Sequence, residues 1–317
     1  MKFSKNLLVS FLAIFILGFI VFKCSAVKKN QVIIGTDEVG EQEAYSYVMQ
    51  ALENGFYNID TSSDDPDVEQ NMGKAVQDFE AKFMGNNVYI ISRFSFPGTF
   101  GGSVFVGDSL VENINNLEGY IRNKLDKSIE RFGHVDEFVF NKKLPPAVSF
   151  SDVVRVFKEL KQDIKYKNIK FGLSTVTVGE FDKLVRDNLI HYIQVVQNPY
   201  WYGSKFLLDL FNMGNQVYSK CISYKIKYET YRPLGRGRLV KERHFSPAVL
   251  LQHSINKGYI PIVKATGQKH LSELVEKVDE EIVLPEVTWS SENSTFNIQI
   301  LNYNQLDVIN SKQYWYK

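Results

Sequence analysis

Asn54-Gly55-Phe56-Tyr57-Asn58-Ile59-Asp60-Thr61 is the stretch on which the fold is decided. Before it, Ala44, Val48, Ala51 and Leu52 recur at helical spacing, and Asn54-Gly55 stops that helix. Phe56 to Ile59 then supply the aromatic and β-branched residues of a short buried strand, and a carboxylate stands where that strand stops. Beyond it, Gly73, Ala75, Val76 and Phe79 begin a second helical pattern. From Glu41 to Phe79 the chain thus reads helix, tight turn, strand, acid, helix, and Asp60 is the first residue to ask about.

The same unit repeats outward in both directions. Strand patterns fall at Val32–Gly35, Phe56–Asp60, Val88–Ser92, Glu137–Asn141, Ile169–Leu173, Ile193–Gln197, Ile222–Glu229 and Tyr259–Val263. Between them, helical patterns run at about 41–54, 67–83, 110–131, 149–166, 178–189, 203–219, 246–257 and 268–279. Strands and helices alternating over about 250 residues predict a closed parallel (β/α)8 barrel, a TIM barrel, over 31–280. Several strands are continuous apolar runs, as strands covered by helices require. An open doubly wound sheet would alternate too, but no Gly-x-Gly-x-x-Gly follows the first strand to anchor a nucleotide there. In a barrel, a carboxylate at a strand's carboxyl end lies where the chemistry is kept.

The stretch Phe94 to Asp108, with four glycines and a proline, is a long loop leaving the third strand. After the last helix, 281–317 is a polar and aromatic tail ending Gln313-Tyr314-Trp315-Tyr316-Lys317, which either folds across the mouth or hangs free. Of the 317 residues 44 % are hydrophobic, enough for a large core, and the net charge of +1 offers no global field for nucleic acid. Cys24 and Cys221 make no disulfide framework. No histidine pair has metal-ligand spacing, so no metal site is assigned. Lys158, Lys161, Lys165, Lys167 and Lys170 form a basic stretch read as a solvated outer face.

Residues 1–30 are a leader. Leu7 to Phe22 carries no charge and is preceded by Lys2 and Lys5. A membrane span needs about 20 residues, and Asn6 with a snorkelling Lys23 brings the segment within range. Cleavage near Ala26, after Cys24-Ser25-Ala26, is the rival reading, which would release a secreted protein. The apolar run is longer than the about 7–15 residues of a usual signal, so the preferred reading is an uncleaved, single-pass anchor on the secretory pathway. Lysines on both sides leave its orientation open.

Several stretches together resemble the aldo-keto reductase family. Gly55-Phe-Tyr-Asn-Ile-Asp60-Thr61, followed by Glu69 to Gly73-Lys74-Ala75, is similar to the helix–strand–Asp pattern of its catalytic centre. Gly172-Leu173-Ser174 resembles its fifth strand, and Val196-Gln197-Asn198-Pro199-Tyr200 its sixth. Tyr231-Arg232-Pro233-Leu234-Gly235-Arg236-Gly237 resembles the loop after its seventh. Phe245-Ser246-Pro247-Ala248 through Gly258-Tyr259-Ile260-Pro261 resembles its seventh helix and eighth strand. The long third loop and Asp64-Asp65-Pro66-Asp67 resemble the fungal pyridoxal-reductase branch.

The resemblance implies a barrel that reduces aldehydes or ketones with NADPH. A tyrosine, assisted by a lysine and a histidine, protonates the carbonyl, and an aspartate holds the lysine. It implies that Tyr231 stacks on the nicotinamide and that Ser174 and Gln197 hold the carboxamide. Leu234 and its glycine loop would follow the pyrophosphate, and Lys264, Lys269 and His270 would meet the adenosine phosphate. At the catalytic positions the chain departs from the family. Asp60 is in place, but Asp64-Asp65-Pro66 stands where the tyrosine belongs, Arg93 replaces the lysine, and Asn141 replaces the histidine. Arginine cannot give up its proton. The expectation is therefore a membrane-anchored oxidoreductase domain whose catalytic tetrad is degenerate, a possible pseudoenzyme with weak or no carbonyl reductase activity and NADP(H) binding kept or lost. Two alternatives stand beside it. One is an active enzyme in which Asp65 or a tail tyrosine (Tyr303, Tyr314 or Tyr316) supplies the proton to a small carbonyl substrate. The other is a non-enzymatic barrel serving as an interaction module at the membrane. Oligomeric state is not legible.

Overall fold

The computed structural model describes residues 24–96, 117–141, 149–174, 176–196, 205–243, 246–279, 286–290 and 295–299. Eight parallel strands close into a barrel: β1 (Ile33–Gly35), β2 (Asn58–Ser62), β3 (Tyr89–Phe94), β4 (Glu137–Asn141), β5 (Lys170–Ser174), β6 (Tyr192–Val196), β7 (Lys227–Tyr231) and β8 (Ile260–Val263). A helix follows each: α1 (Glu41–Glu53), α2 (Pro66–Lys82), α3 (Leu117–Phe132), α4 (Phe150–Gln162), α5 (Val178–Arg186), α6 (Lys205–Tyr224), α7 (Pro247–Asn256) and α8 (Gly267–Glu273).

Local chemistry explains where these elements stop. Gly55, at φ 82°, ends α1, with the Gly55 amide donating to Leu52 and the Phe56 amide to Ala51. That pair of bonds is the helix-ending motif a left-handed glycine permits, and it draws the fully buried Phe56 under the helix. Asp65 caps α2 by accepting from the Val68 amide at 3.3 Å, with Pro66 in the first turn. Ser149 with Asp152, and Thr177 with Glu180, form reciprocal capping boxes on α4 and α5. The main core lies between the sheet and the helices, where Phe56, Phe138, Phe157 and Phe171 are fully buried.

Inside the barrel the strand register sets a second, smaller cluster of Ile33, Ile91, Val139, Tyr192 and Ile262. Tyr192 fills this interior so closely that a β-carbon on Gly172, its partner in register, would stand 2.4 Å from the ring. Only glycine fits there.

Several boundaries differ from the sequence reading. Phe56 belongs to the helix-ending turn, so β2 starts at Asn58 and Asp60 lies within the strand. Ile222 is not a strand start. Val217 and Cys221 are buried one turn apart, the helix continues to Tyr224, and Lys225 at φ 57° breaks it before β7. The last helix stops at Glu273, and Lys277–Asp279 is a strand pairing antiparallel with Cys24–Ala26. Residues 24–26, read as leader, are therefore part of the folded body. The Leu7–Phe22 segment and most of the 94–108 loop lie outside the described residues, and among those described no helix is long and apolar enough to cross a membrane. In the tail, Glu286–Ser290 and Thr295–Gln299 pair as an antiparallel hairpin.

Candidate functional site

Side chains alternate across a strand, so residues two apart share a face. The register aligns Asp60 with Gly35 and Ile91, Ser62 with Arg93, Asn141 with Ser174, and Tyr231 with Val196 and Ile262. Ile91, Val139 and Ile262 belong to the interior cluster. Asp60, Arg93, Asn141, Ser174 and Tyr231 follow the same alternation and occupy the interior at or near the carboxyl ends of their strands. The sequence-predicted centre is thus gathered at one mouth.

Asp60 is fully buried, and its Oδ1 stands 2.7 Å from Arg93 Nε. The charges meet closely, although the N–H is not aligned on that oxygen as a hydrogen bond. Oδ2 accepts from Gln194 Nε2 at 2.8 Å. Burial pushes the Asp60 carboxyl above its ordinary range, against the opposing pull of Arg93 and Gln194. For Arg93, burial acts downward, but Asp60, Asp37 and the Tyr231 hydroxyl outweigh it and raise the guanidinium further. Arg93 is therefore a permanent cation. Among the described residues it feels Asp37 as well, an acid of the first loop that the sequence reading did not single out.

Asp65 is exposed, and its carboxylate is engaged as the cap of α2. That is a helix-starting role. Asn141 ends β4 half-buried at the mouth.

The residues that the resemblance assigns to a nucleotide are placed in part. Tyr231 ends β7 with the Arg232 guanidinium 5.9 Å from its ring centre, and Leu234 packs half-buried against the core. The next turn is built from left-handed residues, Arg232 at φ 62°, Gly235 at 59° and Gly237 at 79°, with Gly235 donating to Arg232 O and Gly237 to Leu234 O. No atom lies within 4 Å of where a Gly237 β-carbon would be, so its glycine serves the backbone turn and leaves the surface above open. Ser174 ends β5, largely buried. Lys264 stands at the rim, donating to Glu38 O at 2.8 Å.

Lys269 and His270 do not join it. Gln268 exchanges two 2.7 Å amide hydrogen bonds with Asn54, the residue that ends α1 at the far side of the barrel. Lys269 follows directly and reaches towards Glu273 at 3.9 Å, while His270 meets Thr266 at 3.3 Å. The chain has descended from the rim before either residue appears. Gln197 lies outside the described residues.

Below the mouth lies a polar chain that the sequence reading missed. The Gln194 amide also donates to Glu229 Oε2 at 3.1 Å. Burial, and then the neighbouring Glu137 carboxylate, raise Glu229 well above the usual carboxylate range. Glu137 Oε2 is buried and has no hydrogen-bond partner among the described residues. Glu137 Oε1 accepts from Tyr89 Oη at 2.5 Å and Lys227 Nζ at 3.0 Å, and Lys170 Nζ donates to Tyr89 Oη at 2.7 Å. The signal was present in the sequence. Glu137, Gln194 and Glu229 are polar residues at the interior-facing parity of their strands, which is abnormal for a barrel interior unless that face is wet or hydrogen-bonded.

No protein-family model matches the chain. An uncharacterized oxidoreductase of Schizosaccharomyces pombe is 25 % identical over 245 residues, covering 72 % of this chain and 75 % of that protein. Among solved structures, an aldo/keto reductase from Brucella melitensis superposes with a TM-score of 0.57 at 17 % identity, covering 91 % of this chain and 99 % of its own. Gox0644 in its apo form superposes with a TM-score of 0.57 at 15 % identity, covering 82 % and 89 %.

Proposed function

We propose, from a barrel shared with solved aldo/keto reductases and a relative named as an oxidoreductase, a membrane-anchored oxidoreductase-type barrel of the aldo-keto reductase kind that keeps a nicotinamide platform and has lost its proton donor. The observation that carries this is the Asp60–Arg93 pair at 2.7 Å. The resemblance calls for a lysine that an aspartate holds and that sharpens a tyrosine; here an arginine occupies that place and cannot release its proton.

The residues present fit the nicotinamide end of a bound NADPH. Tyr231 offers a ring, Ser174 offers a carboxamide partner, and the Arg232–Gly237 turn leaves room for close backbone approach. When bound, such a nucleotide supplies a hydride to a carbonyl carbon. Of this chain's own residues, Asn141 can donate a hydrogen bond to the carbonyl oxygen and Arg93 can stabilise negative charge on it. Neither delivers a proton, because Asn141 has none to release and Arg93 holds its own. Asp65 is engaged as a cap. Polarisation without protonation leaves carbonyl reduction weak or absent.

NADPH titration followed by intrinsic fluorescence tests the platform: saturable quenching is expected, weakened in Tyr231→Ala. No saturable quenching at millimolar NADPH would leave the barrel as an interaction module. Turnover of an aldehyde panel that includes pyridoxal should be slow or undetectable, and equal in Asp65→Ala. A rate that falls in Asp65→Ala would restore that residue as the acid.

A further inference from the structure

Among the described residues, the large apolar side chains left in solvent are Phe83, Met84, Ile164, Ile222 and Tyr224. They share one end of the molecule. Phe83 and Met84 lie between α2 and β3, Ile164 lies between α4 and β5, and Ile222 and Tyr224 lie in the last turn of α6 before β7. Every one is where a helix hands over to a barrel strand, which is the floor, opposite the mouth that holds Asp60 and Tyr231. Met84 is 93 % exposed, a placement that serves no packing among the described residues. Lys167 and Lys225 are exposed on the same loops, beside Ile164 and Tyr224.

The chain also reaches the barrel from this side. Cys24–Ala26 pairs with Lys277–Asp279, the turn Lys29–Gln31 follows, and Lys29 Nζ donates to the carbonyl of Asn54 at the floor end of α1. One residue, Lys23, separates that strand from the last residue of the uncharged run Leu7–Phe22. An extended residue spans about 3.3–3.6 Å, so the paired strand begins within about 10 Å of the apolar run.

We infer that the floor of the barrel rests on a lipid bilayer. Leu7–Phe22 is embedded in it, the tips Met84, Ile164 and Ile222 enter the headgroup region, and the mouth points into the aqueous phase. This rests on the proposed reading of Leu7–Phe22 as an uncleaved anchor. With so short a connection, an embedded run holds the floor against the membrane and leaves no length for the mouth to turn towards it. Apolar tips flanked by lysines suit an interface with anionic headgroups, where the tips are buried and the ammonium groups stay among the phosphates. The ribbon bears on the rival reading as well, since cleavage near Ala26 would cut away the strand that pairs with Lys277–Asp279.

The test uses the full chain in phosphatidylcholine–phosphatidylserine vesicles, with Cys24→Ser and one environment-sensitive dye at Met84→Cys, at Ile164→Cys or, as the mouth control, at Glu41→Cys. Cys221 is buried and does not compete for the dye. Flotation with the vesicles, followed by addition of lipids carrying a quencher in the upper acyl chain, should remove most emission from the two floor dyes and leave the mouth dye bright. Flotation with unquenched floor dyes, or with equal quenching at Glu41→Cys, overturns the docking while sparing the anchor. Failure to float overturns the anchor and the docking together.

Discussion

Arg93 is the residue on which the proposed chemistry turns, and it carries the first prediction. Asp60 is fully buried beside it. Removing one partner of a buried ion pair strands the other charge, a loss of about 3–5 kcal/mol. Arg93→Met should therefore lower the urea midpoint markedly, and Asp60→Asn in the same chain should recover part of the loss, because the stranded charge is gone. Equal additive losses would mean that the pair does not couple. Glu229 behaves in the opposite way. Its folded carboxyl is raised above its ordinary value of 4.5, so above that pH the folded state holds a proton that the unfolded state has released. Stability then falls as pH rises, by up to about 1.4 kcal/mol per pH unit while only one state is protonated. Glu229→Gln keeps an acceptor for Gln194, and it carries no such loss. Its melting temperature relative to the parent should rise from pH 5 to pH 8, with the advantage gone below the unfolded pKa. A difference that stays constant with pH would show that Glu229 is ionised in the fold.

At the scale of the element, the barrel was legible because each strand–helix unit announces itself in apolar runs and turn residues. Asn54-Gly55 predicted the end of α1, and the structure adds the reason in Gly55 at φ 82°. Two things were not legible. Ile222 and Tyr224 look like strand residues, but their context is the buried spacing of Val217 and Cys221, which carries the helix on to Tyr224. The Lys264–His270 run reads as one phosphate-binding stretch, whereas its path is set by the Gln268–Asn54 pair, a contact 214 residues apart in sequence. Gly172 shows how tightly an element can depend on another. A β-carbon there would stand 2.4 Å from the Tyr192 ring, and overpacking of this kind costs about 1–3 kcal/mol or more. Gly172→Ala should depress the thermal midpoint, and Tyr192→Val should restore stability in the double variant beyond the sum of the two single changes. If the double variant is no better than additive, the interior has room that the packing does not show.

Across the whole molecule the two ends of the barrel carry different burdens, and the last prediction concerns how much of a nucleotide the mouth can read. Tyr231, Ser174 and the glycine turn stand at the rim with Lys264, while Lys269 and His270 have moved towards the floor end of α1. A cation that bonds a phosphate contributes about 1.5–3 kcal/mol, roughly ten- to a hundredfold in affinity. If the adenosine phosphate were read by Lys269 and His270, NADPH would bind that much more tightly than NADH, and Lys269→Ala would erase the difference. The observed path of the chain leads to another outcome. NADPH and NADH should bind with similar affinity, Lys269→Ala should leave both unchanged, and Lys264→Ala should weaken whichever nucleotide has its phosphates over the rim. Calorimetry with the two nucleotides and the two variants decides it. A strong preference for NADPH that vanishes in Lys269→Ala would mean that the α8 segment swings to the mouth when nucleotide binds, breaking the Gln268–Asn54 hydrogen bonds as it goes.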